Sequence, residues 1–288
     1  MNGQNCTIRF FAKKNSMGER RWFRFGIYIG AFCLAMVATM IVATTYRVFL
    51  GAPQVIAAPE RPVLETPQKR STLPPVDLNA LTQNNLIYTA DLGSSTYTPT
   101  ERVELADASN YGERHAVDAY GQTVNNEYLA VLHETVWSAN SAINTFQTYH
   151  PNDADQVSYH TIIDRDGTVI YIVPPEKRAF GAGNSVFEGA NGPETVVTNP
   201  AFASSVNNFA YHISLVTPSD GQDNGSPHSG YTDAQYKSLA WLVARTTIPE
   251  ERITTPAVVD RSGSRQDPRS FNWPHFLEYL HQYPSRAA

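Results

Sequence analysis

"VSYHTIIDRDGTVIYIVP", residues 157–174, decides the fold. Two runs rich in β-branched and aromatic residues flank Asp166-Gly167. A tight turn needs positive φ, which glycine supplies without steric cost, so the stretch predicts a β-hairpin. Upstream, "EYLAVLH" (127–133) is a short apolar run of strand type, and "SANSAINTFQTY" (138–149) sets Ala139, Ala142, Ile143 and Phe146 on one helical face. Downstream, "NFAYHISLVTP" (208–218) reads as another strand. "TDAQYKSLAWLVART" (232–246) opens with Thr232 and Gln235 at capping-box spacing and predicts burial of Tyr236, Leu239 and Val243. An aromatic stretch, residues 271–283, closes with a helix around Phe276 and Leu280. Strands alternating with helices predict an α/β domain with a mixed central β-sheet flanked by helices.

The rest of the 288-residue chain has a different character. Residues 1–25 carry six basic side chains against Glu19, a charge of +5; with −5 overall, the other 263 residues carry −10. An acidic body excludes a nucleic-acid partner, because that affinity rests on Lys and Arg neutralising phosphates. The uncharged run "FGIYIGAFCLAMVATMIVATTY" (25–46) follows the basic tail. As a helix it would extend roughly 33 Å, enough for a bilayer core of ~30 Å. The basic flank predicts a cytoplasmic N-terminus and an extracytoplasmic or periplasmic C-terminal part, a single-pass membrane protein. The alternative is a cleaved signal peptide, but those have apolar cores of ~7 to 15 residues and a small-residue cleavage site.

The expected organisation is therefore a basic cytoplasmic tail (1–24), one transmembrane helix acting as signal anchor (25–46), a Pro-rich linker (47–76), an N-terminal extension (77–124) and the α/β domain (125–285). Six prolines within 51–76 favour an extended spacer. The two cysteines, Cys6 and Cys33, both precede the linker, so the expected exported part has no disulfide and relies on its core.

Two residues first suggest chemistry. His133 ends a predicted strand, where side chains project past the sheet edge, the usual ligand position in open α/β sheets. Asp267 precedes Pro268 in a turn-like "RQDP". Each has an ordinary structural explanation: a buried histidine, and a turn or cap carboxylate.

The ordered set "HET", "VSYHTIIDRDGTVIYIVPPEKRAFGAG", "NNFAYHISL", "YTDAQYKSLAWLVA" and "RSGSRQDP" resembles the zinc-dependent N-acetylmuramoyl-L-alanine amidase family, which includes peptidoglycan recognition proteins. The resemblance covers roughly residues 125–283. It implies a peptidoglycan substrate and a zinc held by two histidines and an aspartate or cysteine, with the metal-bound water attacking the amide between the lactyl group and L-alanine. His133 and Asp267 match the first and third ligands. By the same resemblance Tyr159 matches a tyrosine near the metal-bound water, and Arg265 stands where many members have a lysine that stabilises charge on the carbonyl oxygen. Read from the sequence alone, Tyr159 is equally a packed aromatic and Arg265 equally a surface ion-pair partner. Gly183 and Asn184 fall in an expected substrate-groove loop.

The sequence departs from the family in three places. Pro256, which has no donor atom, stands at the second histidine ligand. The strand 208–218 offers His212, Ser214 and Val216 on one face, where many members place a catalytic glutamate. "FGAG" (180–183) replaces the family's Trp-His-Ala-Gly. His212 is the candidate to replace the missing ligand. Two readings stay open: a membrane-anchored amidase, and a non-catalytic peptidoglycan-binding scaffold or regulator of the same fold. A metal-free hydrolase using Ser214 with His212 is weaker, since residues two apart on a strand lie ~7 Å apart at Cα and no carboxylate orients the histidine.

Overall fold

The computed structural model describes residues 97–287 apart from 224 and 226. The predicted tail, membrane span and linker lie outside the described residues. Among the described residues no helix is long and apolar enough to cross a membrane.

The strands are β1 (Glu101–Val103), β2 (Tyr111–Glu113), β3 (Leu129–Glu134), β4 (Thr161–Ile163), β5 (Val169–Tyr171), β6 (Lys177–Ala179), β7 (Phe187–Gly189), β8 (Gly192–Glu194), β9 (Ala210–Leu215) and β10 (Ile253–Thr254). The helices are α1 (Ala139–Gln147), α2 (Asp233–Ala244), α3 (Pro256–Val259) and α4 (Trp273–Leu280). Six strands form one sheet in the order β1-β5-β4-β9-β3-β10. Only β4 and β5 pair antiparallel; the other neighbours are parallel, so the sheet is mixed. The antiparallel pair is the expected hairpin, with Gly167 at φ +87° in its turn.

Side-chain alternation assigns the two sheet faces. Ala130 and Leu132 of β3 and Tyr211, Ile213 and Leu215 of β9 face a core built with Tyr236, Leu239 and Val243 of α2 and Phe276 and Leu280 of α4. Helix α2 starts as its sequence predicts: the Thr232 hydroxyl accepts from the Gln235 N–H, and the Gln235 side chain accepts from the Thr232 N–H. On the opposite face α1 buries Ile143 and Phe146 against Ile162, Ile170 and Ile172. Beside it Leu129, Val131 and Ala210 pack with Phe187, Phe209 and Val259.

The described part of the segment expected as an extension is built into this fold. β1 adds an edge strand to the sheet with Glu101 opposite Val169. Arg114, just past β2, is half-buried, donating to the carbonyls of Pro175, Asn208 and Ala210. The folded unit thus begins N-terminal to residue 125.

Candidate functional site

The parallel register of β3 and β9 fixes the floor of the site. His133 lies opposite Ser214, and His212 opposite Val131, one side-chain step deeper on the same face. Next to His133, Glu134 points to the other face and receives Arg269 Nε at 2.5 Å, with Tyr231 and His228 also on its Oε2. Arg269 Nη2 further donates to the Gly221 carbonyl. This buried ion pair staples the 264–270 loop to the end of β3 and delivers Asp267, two residues before Arg269, to His133. Asp267 Oδ2 lies 3.3 Å from His133 Nδ1.

The other nitrogen of His133, Nε2, meets His212 Nδ1 at 2.9 Å. His212 Nε2 in turn meets Asn207 Oδ1 at 3.0 Å. Behind them His160 Nδ1 accepts from the backbone N–H of His212, and its ring stacks on the His212 ring. All three histidines are buried. Desolvation holds His133 below the usual imidazole range against the opposing hydrogen bond and charge of Asp267. It holds His160 and His212 well below that range, with Arg114 adding to the depression in both. Arg114 itself is lowered to about 10 by burial.

Tyr159 roofs the site, its ring stacked on His133 at 4.3 Å between centroids and edge-on to Phe146 at 5.4 Å. Burial, then the charge of Asp267, raises its hydroxyl pKa; Arg265 opposes this. Arg265 is exposed. Tyr159 and Arg265 both line two adjoining hollows: one of about 370 Å³ over Asp267, Thr135 and Val136, and one of about 460 Å³ running past Phe180, Gly181 and Gly183. Together they form a groove; Asp267 lines the first of these hollows, whereas His133, 1% exposed, lies beneath the Tyr159 ring and lines neither. Gly183 lines the groove; Asn184 is exposed beside it and offers its carbonyl to Arg261.

Pro256 opens α3, a position suited to a residue without an N–H, and it is buried there beside the loop of Asp267, whose carbonyl accepts from Ala257. A three-ligand zinc site needs three converging donors. His133 Nδ1 and Asp267 Oδ2 converge, but Pro256 supplies nothing. His212 sits on the Nε2 side of the His133 ring, away from Asp267, and cannot point a nitrogen at the same ion. Among the described residues no group of three His, Cys, Asp or Glu side chains could hold a metal. The residues present therefore do not fit the family's zinc. Ser214, where many members place a glutamate, buries a hydroxyl with no hydrogen-bond partner among the described residues.

Sequence reasoning missed Asn207. Asn207 carries no local pattern that marks it; its partners, Ala182 and His212, are fixed only by the fold.

A mixed α/β sheet thus carries a histidine at the end of a central strand, met by an aspartate from the 264–270 loop. The N-acetylmuramoyl-L-alanine amidase family matches residues 125–270, and the chain belongs to that family. Among curated relatives, the 1,6-anhydro-N-acetylmuramyl-L-alanine amidase AmpD of Salmonella typhimurium (strain SL1344) is 32% identical over 130 residues, 42% of this chain and 56% of that protein. AmpD of Citrobacter freundii is 29% identical over 125 residues, with the same coverages. The chain thus spans just over half the length of these relatives. Among solved structures, a selenomethionine AmpD derivative is 24% identical with a TM-score of 0.45, over 67% of this chain and 99% of that one. AmpDh3 from Pseudomonas aeruginosa, solved in complex with anhydromuramic pentapeptide, is 17% identical with a TM-score of 0.40, over 66% of each chain.

Proposed function

We propose that this protein acts on peptidoglycan as a member of the N-acetylmuramoyl-L-alanine amidase class, its groove taking the junction between muramic acid and the stem peptide. The observation that carries the reading is the meeting of His133 and Asp267, distant in sequence, at 3.3 Å, with Asp267 opening onto a hollow that Tyr159 and Arg265 also line. The amide between the lactyl group and L-alanine is the bond such a groove presents. Arg265 supplies a cation for the carbonyl oxygen, and Tyr159, kept protonated by burial, supplies a neutral hydroxyl. Gly183 and Asn184 border the path of the glycan or peptide. The uncharged stretch 25–46, with its basic flank, supports a membrane tether that holds the domain at the envelope on the extracytoplasmic side.

A second reading, recognition of the same junction without hydrolysis, is favoured by one observation: Pro256 occupies the place of a metal ligand and His212 does not replace it.

The test uses the full chain in detergent, beside Pro256→His, with metal content, sacculus binding and stem-peptide release measured on both. Release by the wild type establishes the amidase. Binding without release, with zinc uptake and release only in Pro256→His, establishes the recognition protein. Failure of both proteins to bind sacculi overturns both readings.

A further inference from the structure

Arg178 sits on β6, opposite Gly112 of β2, and lines the hollow of about 460 Å³ together with Phe180, Tyr159 and Arg265. Two contacts orient its guanidinium, and neither accepts a hydrogen bond. Its Cζ lies 5.2 Å from the centroid of the Phe180 ring. A Cβ built on Gly112 would stand 3.3 Å from Arg178 Nη2 and 3.4 Å from Phe180 Cζ, so the bare backbone of residue 112 gives the guanidinium its place. The fold pairs other enclosed guanidiniums: Arg114 with backbone carbonyls, Arg252 with Glu194, and Arg269 with Glu134 and Asp223. Arg178 is half-buried, yet among the described residues its side chain makes no hydrogen bond or ion pair, and its Nε is shut off from solvent without a partner. Burial holds its pKa below the usual arginine range, against the charge of Asp153. Asp153 and Asp155 also line this hollow, but both are exposed, so water screens them, and neither reaches Arg178 as an ion pair.

We propose that Arg178 is a specificity-determining residue of the groove that binds a free carboxylate of the stem peptide. A cation taken part of the way out of water without a partner is costly, and an incoming anion relieves that cost. The planar guanidinium fork matches the two oxygens of a carboxylate. A carboxamide offers one acceptor and sets its own N–H against the other arm of the fork. Arg265, lining the same hollow, adds a second positive charge to the field that the carboxylate enters. The inference rests on the reading of peptidoglycan as ligand, whose stem peptide supplies the carboxylate.

The experiment is calorimetric titration of the full chain in detergent with two muramoyl peptides, each with an uncleavable reduced bond at the lactyl–alanine junction. One has its peptide carboxylates free; the other has them converted to carboxamides. The wild type should bind the free form roughly ten to a hundred times more tightly, the range of a hydrogen bond to a charged group. Arg178→Gln should lose that preference while binding the carboxamide form as the wild type does. Equal affinity of the wild type for the two peptides overturns the proposal, as does a preference that survives in Arg178→Gln. Equal losses for both peptides in Arg178→Gln also overturn it, since that is the mark of a purely structural role. Should Arg178→Gln not fold, Arg178→Lys decides: it keeps the charge without the fork, so the preference should shrink, and an undiminished one refutes the assignment. A wild type that binds sacculi but shows no preference sinks this inference alone; one that binds neither sacculi nor peptide sinks the peptidoglycan reading with it.

Discussion

Gly181 lies against the ring of His212 so closely that a single added carbon would stand 2.6 Å from Nδ1. His212 is fully buried between Asn207, His133 and His160, so it has no free space to move into. Gly181→Ala should therefore destabilise the domain by about 1–3 kcal/mol, the usual cost of overpacking a filled interior. Combining it with His212→Ala should cost less than the sum of the two single changes, because the second change removes the atom that the first one strikes. Urea unfolding of the four proteins measures this; strictly additive costs would refute the contact.

The Glu134–Arg269 pair holds the loop that carries Asp267. Both side chains are buried, and Arg269 Nε meets Glu134 Oε1 at 2.5 Å. Removing one partner leaves the other charge buried and unpaired, which costs about 3–5 kcal/mol. Arg269→Met should lose stability on that scale and also weaken ligand binding at Asp267. By contrast, the exposed pair of Arg261 and Glu188 should contribute under about 1 kcal/mol. Comparable losses from Arg269→Met and Arg261→Met would contradict the staple.

The elements legible in the sequence are those set by local chemistry. The hairpin follows from Gly167 in its turn, α2 from the reciprocal Thr232–Gln235 bonds, and one face of β9 from alternation. The three-residue strand β1 is too short to show a period, and only its pairing with β5 reveals it. The site was legible in part, and through resemblance: His133 and Asp267 are each unremarkable in their own segments. What could not be read was direction. Alternation puts His212 on the same face as His133, but not which nitrogen it would meet. That depends on the register of β9 against β3 and on Asn207, whose orientation is set by Ala182 in a distant loop.

His160 makes stability depend on pH with a definite sign. It is faced by Arg114, Tyr211 and His212, with no carboxylate among its contacts in the described residues, and it stays neutral in the fold because burial holds its pKa well below the usual value. Unfolded, it takes a proton near pH ~6.5. Below that pH the unfolded chain binds a proton that the native chain does not, so its contribution is present above about pH 6.5 and is lost on acidification, at up to about 1.4 kcal/mol per pH unit. Unfolding free energies of the wild type and His160→Gln between neutral and mildly acidic pH should converge as pH falls. Parallel curves would show that His160 is protonated in the fold.

At the mouth of the groove, Val136 adopts φ 62°, a left-handed conformation that a β-branched residue reaches only under strain. Its N–H donates to Thr217 Oγ1 at 2.9 Å, and Thr217 N–H returns to Thr135 Oγ1 at 3.3 Å, so the turn between β3 and α1 is held from the neighbouring strand end. For an L-residue this conformation costs roughly 1–2 kcal/mol, a cost that glycine avoids. Alanine keeps the Cβ that causes the strain and also loses the half-buried valine side chain. Val136→Gly should therefore be more stable than Val136→Ala by about 1 kcal/mol, the reverse of their order in an ordinary helix or strand. For a domain of this size that is roughly 2–4 °C in Tm, readable by calorimetry on the two variants. If alanine proves the more stable, the turn does not hold Val136 in the left-handed region.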